Sequence, residues 1–238
     1  MDMIDIDQPA TWPPAVMEWA SAHARLLRGS TEITQDLEVP ADVEEDVRSH
    51  LVGHPLVTYH CTRLLDHEIV SVRERGLRML TRDVIEERIA VAHTRGFLSD
   101  GTRDRLMTGN VFARGEQSGR EGQVCLVLGR TVFDSAPQDC EPLLSFWGGE
   151  GLNGGPLGED WHLVIGRPSV VVARIDLSVP WQEAMTFPAV ARLLVGTLLG
   201  TQERRADVHL RSNVAPIDVV DIWQPGHTEY DLHEQLPR

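Results

Sequence analysis

The chain has 238 residues, 42% of them hydrophobic, and a formal net charge of −14. That length and apolar content give one domain, or a compact domain with an added helical arm, and enough apolar side chains for a core. The acidic balance weighs against broad nucleic-acid binding, which draws its affinity from phosphate neutralisation, and no apolar run approaches the about 20 residues of a membrane span. All 22 basic residues are arginine, so no lysine can form a Schiff base or serve a phosphate-binding loop. The opening residues 1–7 are acidic rather than basic, so no secretory signal is expected. Cys61, Cys125 and Cys140 are widely spaced and odd in number, which fits neither a disulfide framework nor a zinc knuckle; a reducing cytoplasm is the expected compartment.

Taken in chain order, Thr11 can cap a helix whose first turn holds Pro13 and Pro14. Val16, Trp19, Ala20, His23, Leu26 and Leu27 follow the spacing of one buried helical face, up to a stop at Gly29. Pro40 opens a second helix with Val43, Val47 and Leu51 on one side, ended by Gly53. Residues 1–54 therefore read as a helical arm, and residues 55–238 as an α+β domain. Leu56–His60 reads as a strand. Leu65, Ile69 and Val72 share a face of a short helix that Gly76 terminates. Residues 81–96 form a helix with Ile85, Ile89 and Ala92 inward, and 99–107 another. A loop at 109–122 leads to a strand at 123–128. A short helix or turn at 143–147 enters the glycine-rich stretch 148–158, followed by strands at 161–165 and 169–176. The run 188–199 is an almost wholly apolar helix, buried on most sides. Late strands fall at 208–210 and 217–223, and the polar tail from Gln224 is expected to be peripheral.

Three groups of residues carry chemical potential. His60 and Thr62 stand two apart at the end of a strand, so their side chains share one side, where a histidine can hydrogen-bond a ribose hydroxyl; alternatively the histidine is satisfied by backbone. In Phe146-Trp147-Gly148-Gly149-Glu150-Gly151, the glycines allow close backbone approach, the tryptophan can stack a planar ring and Glu150 offers a carboxylate; the competing reading is a tight turn with Trp147 as a core anchor. Arg114, Arg120 and Arg130 flank the strand at 123–128 and can fork onto a pyrophosphate or RNA phosphate, or pair with surface carboxylates. His50, His54, His60 and His67 crowd one stretch, but no His-Glu-x-x-His spacing exists, and no metal is expected.

Tyr59-His60-Cys61-Thr62, then a helix, then Arg75-Gly76-Leu77 resembles the opening pattern of the ADP-ribosyltransferase superfamily, in its poly-ADP-ribose polymerase-like and RNA 2′-phosphotransferase branches. The order of later strands is also similar over roughly residues 55–223. The resemblance implies a small split β-sheet domain that binds NAD as substrate, with His60 and Thr62 on the nicotinamide-side ribose and Phe146 or Trp147 as the ring-stacking aromatic; Arg120, by its guanidinium chemistry, is the candidate for the NAD pyrophosphate. It implies that nicotinamide leaves through an oxocarbenium-like transition state stabilised by a carboxylate. Where the family has its glutamate, this chain has Asp207, or His209 one strand step on, so Glu150 and Asp207 are both candidates for the catalytic group.

Two functions follow as expectations. One is a transferase that moves ADP-ribose from NAD to a macromolecular acceptor. The other is a non-catalytic acidic interaction protein, an immunity or antitoxin-like partner, whose charge steers it to a basic protein.

Overall fold

The computed structural model describes residues 3–27, 41–115, 120–153, 163–176, 187–200 and 206–238. In chain order these form α1 (Pro14–Leu27), α2 (Ala41–Leu51), β1 (Leu56–Leu64), α3 (Asp66–Arg75), α4 (Arg82–Thr94), α5 (Asp100–Gly109), β2 (Val124–Leu128), α6 (Val132–Ser135), α7 (Pro137–Ser145), α8 (Gly149–Asn153), β3 (Arg167–Ile175), α9 (Phe187–Leu199), β4 (Ala206–Leu210), β5 (Val219–Trp223) and α10 (Thr228–Asp231). The chain is α+β: its strands make one five-stranded antiparallel sheet in the order β4-β2-β1-β3-β5. Among the described residues no helix is long and apolar enough to cross a membrane.

β1 is the centre of that sheet, and the alternation along it sorts the two faces. Leu56, Leu64, Leu126, Leu128, Val171, Ala173 and Val208 belong to a buried cluster with Val16, Trp19 and Ala20 of α1, Val47 and Leu51 of α2, and Val190, Ala191 and Leu194 of α9. Tyr59, Cys61, Val170 and Val172 pack on the other face against Phe133, Cys140 and Leu144. The stretch expected as an arm thus shares one core with the sheet, and Ile4 itself pairs with Leu56 in a parallel bridge. A third cluster joins Ile85, Ile89 and Ala92 of α4 to Leu106, Phe112, Trp147 and Leu152.

Local signals set several boundaries. Thr81 accepts from the Val84 N–H at 3.3 Å and Ser99 from the Thr102 N–H at 3.2 Å, which caps α4 and α5. Gly76 ends α3 at φ +77°, and a Cβ there would lie 1.8 Å from the Val214 carbonyl oxygen. That approach lets Leu77 and Val214 exchange two backbone hydrogen bonds of 3.0 and 2.9 Å.

Three expectations are corrected. β1 runs on to Leu64, so His60 is mid-strand rather than at its end; the polar Thr62 and Arg63 hide this continuation. No strand forms over the described residues 163–165. The tail is no appendage: Tyr230 and Leu236 are buried in the second cluster, the Tyr230 hydroxyl donates to the Pro237 carbonyl at 2.6 Å, and Arg130 pairs with Glu229 at 2.9 Å.

Candidate functional site

A cleft of about 170 Å³ opens between β1 and the helices α3 and α4. Its floor is His60, Thr62 and Leu64, and its rim carries charged side chains from α3, α4 and the Gly76–Arg78 turn. The period of a strand puts His60 and Thr62 on the same face, side by side.

His60 is half-buried, and its Nδ1 lies 2.8 Å from the Cys125 carbonyl oxygen. A carbonyl only accepts, so Nδ1 carries the proton and Nε2 is left as an acceptor for the cleft. Burial holds the imidazole pKa below its ordinary value, and the Arg88 charge lowers it further, against the pull of the Cys125 carbonyl. His60 is therefore neutral at pH 7. Thr62 is 8% exposed, and its hydroxyl has no hydrogen-bond partner among the described residues. Two polar atoms thus stand ready for a ligand hydroxyl pair.

Behind this floor lies a hub that sequence reading missed. Glu68, at the third position of α3, accepts from the Leu65 N–H at 2.7 Å, from the Trp147 indole N–H at 2.9 Å, and from Arg88 through both carboxylate oxygens. Burial pushes its pKa up, but the Arg88 charge and these hydrogen bonds outweigh that and leave it lowered. Arg88 also donates to the Arg63 carbonyl at 2.9 Å and lies over the Trp147 ring, 4.8 Å from its centroid. A glutamate three residues after a helix start was the available signal. The rim holds a second carboxylate, Glu87, bridging Arg75 at 3.3 Å and Arg78. His67 also lines the cleft; its buried Nδ1 has no hydrogen-bond partner among the described residues, and burial lowers its pKa.

The residues nominated from sequence do not all meet here. His60 and Thr62 line the cleft. Trp147 is fully buried, so it braces Glu68 and Arg88 and has no free ring face for a ligand; its core-anchor reading is the one that matches. Asp207 pairs with Val127, and Val127 with Tyr59, so it faces away from His60 and Thr62. His209, two residues on, shares that side. Arg120 sits in the turn before β2, where the Gly122 N–H donates to the Leu80 carbonyl at 2.8 Å, and it is not among the cleft's lining residues. Arg114 donates to the Gly109 carbonyl at 2.9 Å. Glu150 is in the first turn of α8, and its side chain lies outside the described residues. Gly148, at φ +93°, is required by backbone and packing, because a Cβ there would meet Leu152 at 2.2 Å; at Gly151 a Cβ would meet only the end of the Ile85 side chain, at 2.7 Å. Among the described residues no three His, Cys, Asp or Glu side chains are grouped to hold a metal ion. No protein-family model, no curated protein and no solved structure matches this chain.

Proposed function

We propose that the cleft binds the nicotinamide-ribose part of NAD, and that the chain moves ADP-ribose from NAD to a macromolecular acceptor. One observation carries this reading: a neutral His60 with its Nδ1–H committed to a carbonyl, beside a Thr62 hydroxyl, on the floor of an open cleft. Nε2 accepts from one ribose hydroxyl and Thr62 exchanges a hydrogen bond with its neighbour. The volume of about 170 Å³ suits one ring-sized group, since a cavity of about 150 Å³ takes a benzene. The rest of a dinucleotide lies over the mouth.

The chemistry needs one carboxylate beside the departing ribose. Asp207 is on the wrong side of the sheet, and Glu68 and Glu87 are each tied to arginines, so Glu150 is the assignment this reading keeps. Glu150→Gln lowers nicotinamide release by about two orders of magnitude or more while NAD still binds. Release that is unchanged in the variant removes Glu150 from the role; no release from wild type with any protein or nucleic-acid acceptor removes the transferase.

The second reading, an interaction protein without chemistry, is favoured by a specific observation. Both carboxylates described in the cleft are tied to arginines, while the chain's net charge of −14 steers it toward a basic partner. NAD binding without turnover, with tight salt-sensitive capture of a basic protein, supports that reading.

A further inference from the structure

At the mouth of the cleft two arginines converge on one glutamate. Glu87 Oε1 accepts from Arg75 Nη1 at 3.3 Å, and Oε2 accepts from Arg78 Nη1. Arg75 is fixed from behind, because the Ser71 hydroxyl oxygen accepts from its Nε at 3.0 Å and its Nη2 at 2.6 Å. Between the two arginines the backbone is pinned by the Gly76 turn and the Leu77–Val214 bridge. The Arg75 guanidinium is thus held in place, and all three charged side chains line the cleft that has His60 and Thr62 on its floor.

We propose that Arg75 and Arg78 form the seat for a phosphate of a ribose-bound ligand, and that Glu87 is the internal competitor for that seat. The inference rests on reading the floor as a ribose site, and adds which side chains hold the phosphate carried by that ribose. The charges agree. Two arginines on one carboxylate leave a net positive spot on a chain of net charge −14. A phosphate dianion offers three acceptor oxygens where the carboxylate offers two, and arginine forks match that geometry. The exchange costs little. The Glu87 side chain is 40% exposed, with Arg75 at 55% and Arg78 at 33%, so Glu87 can turn into water and the pairs it gives up are weak surface pairs. Its competition reduces apparent phosphate affinity by about three- to tenfold, the scale of two such pairs.

Nicotinamide riboside and nicotinamide mononucleotide differ only in the phosphate, so calorimetric titration with both isolates the seat. In wild type the mononucleotide binds about tenfold tighter, and 0.5 M salt erodes the difference. Glu87→Gln, nearly isosteric, raises mononucleotide affinity a further three- to tenfold and leaves the riboside unchanged. Arg78→Gln brings the mononucleotide down to the riboside's affinity. Circular dichroism and melting confirm that each variant folds. Equal, His60-dependent binding of the two ligands by wild type overturns the seat and leaves the ribose reading standing. If wild type binds neither, the ribose reading falls and inorganic pyrophosphate judges the seat alone. Protection of Glu87→Gln from heat that Arg78→Gln lacks supports it; no protection overturns it.

Discussion

His60 and Asp207 face opposite sides of the same sheet. Tyr59, adjacent to His60 on β1, pairs with Val127, and Val127 pairs with Asp207. Directly opposed residues share a face and neighbours along a strand do not. The floor of the cleft and the closing strand's carboxylate are therefore separated by the thickness of the sheet.

Asp207→Asn should accordingly leave NAD affinity and nicotinamide release within about twofold of wild type, the spread expected of a substitution outside the site. Steady-state nicotinamide release checks it. A loss of a hundredfold or more would require the chain to pair in another register.

Acid should loosen the fold through His60. The folded imidazole is held below its ordinary value of 6.5 by burial, so below about pH 6.5 the unfolded chain takes up a proton that the folded one refuses. This contribution is complete above that pH and is lost as pH falls toward the folded pKa, at up to about 1.4 kcal/mol per pH unit. His67, whose pKa burial also lowers, contributes in the same direction. Urea unfolding between pH 7 and 5 should show the decline, and His60→Gln should flatten it. An equal slope in the variant would remove His60 as its source.

Gly76→Ala meets both a left-handed backbone and the Val214 carbonyl, and should cost about 3 kcal/mol or more. Gly53→Ala shares the positive φ but meets nothing within 4 Å, so it should cost only about 1 kcal/mol. Paired chemical denaturation measures the difference; equal costs would contradict the close approach.

Trp147→Phe should act on stability rather than on ligand. It removes the indole N–H from the buried Glu68 carboxylate and should cost about 2–4 kcal/mol. NAD affinity of the folded variant should change less than about threefold, the scale of an indirect effect. A large loss of affinity with little loss of stability would return Trp147 to the ligand.

Helices with a repeating apolar face were legible in the sequence: Ile85, Ile89 and Ala92 turn inward in α4, and the apolar run at α9 is buried against α1 and α2. So was the shared side of His60 and Thr62, which follows from strand period alone. Other features depend on contacts between distant segments. Arg63 sits in mid-sheet because its guanidinium donates to the Ile165 and Leu144 carbonyls at 3.0 and 3.1 Å, which no local pattern announces. α7 carries Pro142 inside it, a residue that argues against a helix interior. Tyr230 is a lone aromatic in a polar tail, buried through its place in the cluster with Tyr59, Cys61 and Phe133. The separation of Asp207 from His60 hangs on the β2–β4 register, and a slip of one residue would reverse it.

The central claim is that His60 and Thr62 hold a ribose in the cleft. Its most direct measurement is the melting temperature of wild type, His60→Ala and Thr62→Val with and without millimolar NAD, each shown to be folded. With NAD at about ten times its Kd, wild type should gain about 1.4 kcal/mol, or roughly 3–5 °C, while both variants lose most of that gain. A folded wild type that shows no shift, or a His60→Ala variant that shifts as far as wild type, would contradict the account.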